Sequence, residues 1–288
     1  MEDAFTGVMK GRVCLISGAT SGVGRAIAEG LARRHATVIL LSRERKRAEK
    51  EARAISAKAQ NAKTDVMEID LSSQESIRSF VVDFTSHYDR LHVLVNAAGV
   101  LMFEKLLTED GIEMTLAVDY LGHFLLTNLL LPVLSRSAPS RVLTVAGHPR
   151  LLKDTKIDFE DIQHEKHFQG IEAAKQAAVL RVLFTYELAR RIEGTGITAN
   201  AFHPGLVKTR LFRHAPWWGR LISGIVRPFL MNRCSTGVFV ASSPSLETVS
   251  GKYFVRKTPV SFFPKWADAK TLRRLWRLSS SLTDMDER

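Results

Sequence analysis

A glycine-rich loop is the first stretch whose residue types and spacing suggest chemistry. An apolar run, residues 13–16, is followed by Gly18, Gly22 and Gly24, and a helix-like apolar pattern begins at Ala26. We expect Gly18 to form a tight turn, Gly22 to let the backbone approach a pyrophosphate, and Gly24 to let the helix pack on the strand. This order of strand, loop and helix presents backbone N–H groups to phosphate, so it predicts a dinucleotide site.

The residues after the second predicted strand indicate which dinucleotide binds. Arg43 follows residues 37–41, and more basic residues follow at 45–47, where an acidic side chain would bind the ribose 2′-hydroxyl of NAD(H). A guanidinium at this place favours a 2′-phosphate. We therefore expect NADP(H) to be preferred over NAD(H), with Arg43 as its contact. The alternative is that Arg43 is an ordinary surface residue.

Strands and helices are predicted to alternate along the chain. Each predicted strand is a short, continuous apolar run, which is typical of a parallel sheet covered by helices on both faces. The sequence therefore predicts a single doubly wound α/β domain over residues 1–288, with about seven strands and with ligands at their carboxyl ends. The predicted strands are residues 13–17, 37–41, 64–69, 91–95, 141–145, 197–202 and 253–255. The predicted helices are residues 24–35, 44–60, 72–88, 111–134, 170–192 and 272–278, with a polar loop over 147–168.

The composition indicates which partners and which cellular compartment to expect. The net charge is +11, but the basic residues are spread out and do not alternate with aromatic residues, so no nucleic-acid partner is expected. Two cysteines, Cys14 and Cys234, cannot build a disulfide framework, which fits a reducing compartment. No signal-peptide core and no apolar stretch of about 18 residues is evident, so a cytoplasmic protein without a membrane span is expected.

Several motifs together carry a resemblance to a known family. They are G-A-T-S-G-V-G (18–24), N-A-A-G (96–99), L-G-H-F-L-L-T-N-L-L-L (121–131), L-F-T-Y-E-L-A-R-R (183–191) and H-P-G (203–205). The chain resembles the short-chain dehydrogenases/reductases, and within them the retinol-dehydrogenase-like branch. The resemblance implies a cofactor site in which successive groups line the phosphates, the adenine, the ribose and the nicotinamide. These groups are Ser17, Gly18, Ser21, Gly22, Val23 and Gly24; Asp70 and Leu71; Asn96, Ala97 and Gly99; and Pro204, Gly205, Val207 and Thr209.

The same resemblance implies that the catalytic residues have been replaced. Enzymes of this family use a tyrosine, a lysine one helical turn later, a serine and an asparagine. Counting back from the L-F-T-Y-E-L-A-R-R motif places Ala174 and Ala178 at the tyrosine and lysine positions, and Gly147 and Asp119 stand at the other two. Since alanine can neither donate nor accept a side-chain proton, the usual carbonyl or alcohol chemistry cannot run through these residues.

Two nearby residues are candidates for a replacement acid or base. Asp119 could act as a base if burial raised its pKa, although hydrogen bonds to the local backbone are the more ordinary role. His148 lies just past the missing serine and could approach the reacting atoms, although a histidine beyond a strand end is more often a solvated loop residue. The cysteine, histidine and acidic residues do not show the spacing that is typical of metal ligands, so no metal is expected.

The apolar segment 206–232 falls where the family places a substrate lid. It contains Trp217 and Trp218 and favours a hydrophobic small-molecule ligand. Within it, residues 215–230 interleave arginines with apolar residues, which also suits peripheral contact with a membrane surface or another subunit. Helices equivalent to those at 111–134 and 170–192 form dimer interfaces in the family, so the resemblance also allows a homodimer.

Three functions are compatible with these features. The favoured one is an atypical NADP(H)-dependent oxidoreductase that acts on a hydrophobic small molecule without the usual Tyr/Lys pair. The second is a non-redox enzyme on the same fold, such as a cyclase, isomerase or dehydratase. The third is a catalytically inactive nucleotide-binding protein.

Overall fold

The apolar runs of the sequence form the strands of a single eight-stranded sheet in the computed structural model, which describes residues 8–60, 62–208 and 231–286. The strand order is β3-β2-β1-β4-β5-β6-β7-β8, and every pair is parallel except β7 with β8. The strands are β1 Val13–Ser17, β2 Thr37–Ser42, β3 Thr64–Glu68, β4 Val93–Asn96, β5 Ser140–Val145, β6 Ile197–Phe202, β7 Lys252–Val255 and β8 Thr258–Val260. The doubly wound α/β class is thus confirmed.

The expected strand number of about seven was one too low. The additional strand, β8, has three residues, two of them exposed, and contains Pro259. An exposed edge strand carries no continuous apolar run and tolerates proline, so it lacks the signal that identified the other strands.

Helices cover both faces of the sheet. They are α1 Gly22–Ala32, α2 Arg45–Lys58, α3 Gln74–His87, α4 Met114–Leu116, α5 Gly122–Arg136, α6 Pro149–Leu152, α7 Gly170–Arg191, α8 Ser235–Ser242 and α9 Ala269–Leu282. The expected helix 111–134 is interrupted by a π-helical segment, Ala117–Leu121, between α4 and α5. The sequence did not predict α6 or α8, and α9 extends beyond the expected 272–278 at both ends.

Successive side chains along a strand point to opposite faces of the sheet, so the core has two layers. In β1, the side chain of Leu15 packs with α3, α5 and α7 on one face, whereas Cys14 and Ile16 pack with α1, α2 and α8 on the other. All three residues are fully buried. A strand that is apolar on both faces requires helices on both faces, which is why the continuous apolar runs predicted this architecture.

The long apolar helical region lies within the core. The stretch Met114–Arg136 is long and apolar enough to cross a membrane by length and composition, whereas no apolar stretch of about 18 residues was expected. However, 78% of its most apolar 18-residue window is buried inside the protein. Its apolar side chains therefore pack against protein, as those of a core helix do.

Some expectations lie outside the described residues. The structure does not describe residues 209–230, which make up most of the predicted lid at 206–232. The predicted membrane or subunit contact at 215–230 lies wholly within this gap, and so does Thr209.

Candidate functional site

One cavity of about 610 Å³ opens at the carboxyl ends of the strands. It runs from the glycine loop after β1, past the ends of β2, β3 and β4, to the end of β5 and the face of α7. Eleven of the predicted cofactor residues line it: Ser17, Gly18, Ser21, Gly22, Val23, Arg43, Asp70, Leu71, Ala97, Gly99 and Pro204. The predicted residues that do not line it, among those described, are Gly24, Asn96, Gly205 and Val207.

The glycine loop has no space for side chains at two positions. Gly18 has φ +63°, and a Cβ added there would lie 2.7 Å from the Cα of Ala98. A Cβ on Gly24 would lie 2.7 Å from the carbonyl oxygen of Gly18, so this glycine allows close packing behind the cavity rather than lining it. The cavity wall here is main chain, as a backbone cradle for phosphate requires.

The amino-terminal end of α1 points its free N–H groups at this cradle. Ser21 is the N-cap residue but makes no side-chain capping hydrogen bond, and the first turn contains no acidic residue. The first N–H groups of a helix lack intrahelical partners and carry a partial positive charge. An anionic group in the cavity would therefore satisfy them.

Ser17 joins the two strands that flank the cavity floor. Its hydroxyl oxygen accepts hydrogen bonds from the N–H groups of Ala97 at 2.9 Å and Ala98 at 3.0 Å. The same oxygen lies 3.0 Å from Nε2 of His123. Because the serine is buried and fully engaged, its contribution is to hold the loop after β4 against the end of β1.

The end of β2 presents charges of both signs to the cavity. Arg43 lines the cavity as predicted, but Arg47 and Glu44 line it as well. The Glu44 carboxylate lies 3.7 Å from Nη1 of Arg47, and its side chain is 54% exposed. The expectation of a purely basic end was based on residues 43 and 45–47 and left out Glu44, the N-cap residue of α2, which lies between them and also lines the cavity.

Two other predicted positions form hydrogen bonds within the protein. The Asp70 carboxylate accepts hydrogen bonds from the N–H of Ser72 at 2.9 Å and its hydroxyl at 2.6 Å. Asn96 is fully buried, and its Nδ2 donates to Oγ1 of Thr127 at 2.9 Å, which joins β4 to α5.

At the far end of the cavity, the positions expected to hold catalytic side chains form an apolar wall. Gly147, Ala174 and Ala178 all line this end. The rim adds Leu151 and Ile171, which are 69% and 52% exposed. An apolar wall and rim suit a hydrophobic ligand, since pockets for such ligands carry few polar groups.

The most extensively bonded polar group at this end is Arg181, which the sequence analysis did not identify. It lies on the same face of α7 as Ala174 and Ala178, seven and three residues earlier. Its Nη2 donates to the carbonyl of Ala98 at 2.7 Å, its Nη1 donates to that of Val145 at 3.1 Å, and its Nε donates to the carbonyl of Asp119. One buried guanidinium therefore joins the loop after β4, the end of β5 and the π-helical segment.

Asp119 is the counter-charge of this arginine. Its Oδ2 lies 3.7 Å from Nη2 of Arg181, and its Oδ1 accepts the N–H of Val100 at 2.7 Å. Burial raises the pKa of Asp119 to about 6, and Arg181 and the Val100 hydrogen bond oppose this rise. Both oxygens of the carboxylate thus face fixed partners, although the residue lines the cavity.

A signal for this pair was present in the sequence. Arg181 interrupts the buried apolar face of α7, and Asp119 interrupts an otherwise apolar helix, so each is a charge where burial was expected. Charges are rarely fully buried unless paired. Two such interruptions of opposite sign could have been matched to each other.

Two imidazoles lie beside the apolar wall. His148 lines the cavity at the start of α6, and its Nδ1 accepts the N–H of Arg150 at 3.2 Å. His203, which follows β6, also lines the cavity. The two rings are 4.9 Å apart, edge to face, and burial and the neighbouring His148 lower the pKa of His203.

Among residues 8–60, 62–208 and 231–286, no group of three or more histidine, cysteine or acidic side chains could hold a metal ion.

Comparisons with known proteins point to one family. The family model for short chain dehydrogenase matches residues 12–149. Retinol dehydrogenase 14 of Mus musculus is 41% identical over 95% of this chain and 86% of its own length. Retinol dehydrogenase 12 of Bos taurus is 40% identical over 94% of this chain and 86% of its own length.

Solved structures agree on the fold. The crystal structure of an uncharacterized protein from Mycobacterium paratuberculosis is 29% identical, with a TM-score of 0.76 over 99% of this chain and 98% of that one. The Pseudomonas aeruginosa RhlG/NADP active-site complex is 23% identical, with a TM-score of 0.66 over 88% of this chain and 97% of that one. At this level of identity the second likeness concerns the fold alone.

The buried pair leads to a prediction about stability. Arg181→Met should lower the free energy of unfolding by about 3–5 kcal/mol at pH 8, because it leaves a buried carboxylate without its counter-charge. Without the guanidinium, the pKa of Asp119 in the folded state lies still further above its value in the unfolded chain. The folded state then holds the proton to a higher pH, so the loss should be larger at pH 8 than at pH 5. Urea denaturation at both pH values measures it.

Two controls separate the pair from helix effects. Asp119→Asn combined with Arg181→Met should recover part of the loss and remove its pH dependence. Arg190→Met, on the same helix but 57% exposed, should cost less than about 1 kcal/mol. An equal loss at both pH values for Arg181→Met would contradict a buried charge pair.

Proposed function

The chain belongs to the short-chain dehydrogenase family, and from this premise we propose that it binds NADP(H) and acts as an atypical oxidoreductase on a hydrophobic small molecule. Members of the family bind NAD(P)(H), and the retinol dehydrogenases among its relatives imply a hydrophobic substrate. The observation that carries the proposal is the single cavity that joins a backbone cradle to an apolar wall.

The residues along the cavity fit a dinucleotide phosphate. Because Gly18 and Gly22 have no side chains, the cradle wall at these positions is main chain. The uncapped N–H groups of α1 face the cradle, so it would hold the pyrophosphate. Arg43 and Arg47 would hold the 2′-phosphate at the end of β2. The Arg47–Glu44 pair lowers the net positive charge at this end, so Arg43 is the residue on which the preference for NADP(H) rests.

The chain's own side chains limit the chemistry at the other end. When bound, the nicotinamide supplies hydride transfer, and the protein orients it against the substrate. Ala174 and Ala178 add no proton donor, and Arg181 is committed to three carbonyls and Asp119. A substrate that accepts hydride with little help from an acid, such as a conjugated enone or an iminium ion, suits this arrangement.

A second function is favoured by the same wall. Because the positions 174 and 178 carry only methyl groups, the protein could bind nucleotide and ligand without turning them over, as a nucleotide-dependent binding protein. We also propose that residues 215–230 contact a membrane surface, which is compatible with either function.

Turnover distinguishes these functions. We expect purified protein with NADPH and a panel of enones, aldehydes and alcohols to consume the reduced nicotinamide, followed by its absorbance. Product formed without loss of that absorbance would indicate non-redox chemistry, and NADPH binding without any product would indicate the binding protein. Ala174→Tyr with Ala178→Lys should create or raise carbonyl reduction, because it returns a proton donor and a cation to one helix face.

The charge at the end of β2 gives a prediction about cofactor preference. Arg43→Ala should weaken NADPH binding by at least about tenfold, the loss of one charge-assisted contact to phosphate, and leave NADH binding nearly unchanged. Titration calorimetry with both nucleotides measures the ratio. Arg45→Ala is the matched control, since Arg45 pairs with Glu49 and is not among the cavity-lining residues. A parallel loss for both nucleotides would remove the case for a 2′-phosphate contact.

The cradle gives a prediction about binding itself. Gly18→Ala should abolish binding of either nucleotide, because the new Cβ would lie 2.7 Å from backbone and would force the loop apart. Gly194→Ala is the control: Gly194 has φ +79° but nothing within 4 Å of an added Cβ, so it imposes a similar backbone strain without the clash. If both variants bound nucleotide equally, the cradle would not be the phosphate site.

A further inference from the structure

Few polar side chains at the apolar end of the cavity are free to bind a ligand. Among the described lining residues, the titratable groups at this end are Asp119, His148, Lys175, Arg181 and His203. Asp119 and Arg181 bind each other and the backbone, and Lys175 donates to Glu172 at 2.7 Å. The two imidazoles therefore need closer consideration.

The tautomer of His148 is set by its own helix. The N–H of Arg150 donates to its Nδ1 at 3.2 Å, so this nitrogen carries a lone pair and, in the neutral ring, the proton lies on Nε2. The same hydrogen bond caps α6 and fixes the orientation of the ring. The described residues give this Nε2–H no hydrogen-bond partner, so it can serve a ligand.

His203 holds the first ring from the side. Its ring stands edge to face against that of His148 with centroids 4.9 Å apart, and its Nδ1 is buried without a hydrogen-bond partner among the described residues. Burial and the neighbouring imidazole lower the pKa of His203, which favours its neutral form. A neutral neighbour adds no positive charge that would compete for the ligand, and its Nδ1 is buried.

The structure assigns to His148 the binding of the ligand's oxygen atom: we propose that its neutral imidazole donates a hydrogen bond from Nε2–H to a carbonyl or hydroxyl oxygen at the polar end of an otherwise apolar ligand. This inference rests on the proposed function, whose substrate class it narrows to apolar compounds with a hydrogen-bond acceptor. A neutral donor can also polarise a carbonyl without transferring its proton.

Three ligands with one carbon skeleton test the assignment: farnesal, farnesol and farnesene, which end in an aldehyde, a hydroxyl group and a hydrocarbon. Their dissociation constants are measured by tryptophan fluorescence, with and without saturating NADPH. The aldehyde and the alcohol should bind about fivefold more tightly than the hydrocarbon, the worth of one neutral hydrogen bond.

The variants separate a contact from general packing. His148→Phe should abolish the advantage of the oxygenated ligands without weakening farnesene, whereas His148→Gln, whose amide N–H can replace Nε2–H, should keep part of it. His203→Phe retains the packing and should keep most of it. His167→Phe, at an exposed residue outside the cavity, is the control and should change nothing.

The outcomes also separate this inference from the proposed function. Equal binding of all three ligands by the wild type, or an unchanged advantage in His148→Phe, would overturn the role of His148 even if NADPH binds and is oxidised. Loss of the advantage in His203→Phe but not in His148→Phe would transfer the contact to the second ring and overturn the assignment. Failure to bind NADPH, with the advantage intact, would instead count against the proposed function alone.

Discussion

The close approach of β1 and β4 at the point where the strand order reverses is the constraint on which the site depends. An added Cβ at Gly18 would lie 2.7 Å from the Cα of Ala98, so the two loops touch through main chain. The buried hydroxyl of Ser17 secures that contact by accepting the N–H groups of Ala97 and Ala98. The loops that leave these strands become opposite walls of one cavity, and every other contact with a ligand is placed relative to them.

A second tie, made by a buried charge pair, joins the segments at the other end of the cavity. Arg181 reaches three carbonyls from separate segments, and Asp119 neutralises it. Because this cation is buried and its N–H groups already bond three carbonyls and face a carboxylate, it joins the cavity walls and has few donors left for a ligand. The helix face that carries Arg181 otherwise presents Ala174 and Ala178, so a charge pair bonded to backbone and two methyl groups stand where the resemblance would place proton transfer.

The parts that could be predicted from sequence are those encoded by local patterns. Continuous apolar runs gave the strands and the two-sided core, and the spacing of Gly18, Gly22 and Gly24 gave the cradle, since a turn and a close approach depend on neighbouring residues. Arg181 and Asp119 are 62 residues apart, and three of the arginine's partners are carbonyls, which every residue has. Whether Glu44 lines the cavity depends likewise on tertiary structure, and so does the pairing of the exposed strand β8. No local sequence pattern indicates either of them.

The backbone cradle and the positions at which the resemblance would place catalytic groups lie on different elements of this fold. The cradle is main chain between β1 and α1, whereas positions 119, 147, 174 and 178 lie on the π-helical segment, the loop after β5 and α7. Arg181 on α7 donates to the carbonyl of Ala98, the residue against which Gly18 packs, so the loop after β4 connects α7 to the cradle. The backbone of the cradle therefore determines where a ligand can lie in the cavity, and the few polar atoms at the apolar wall limit what can happen to it there.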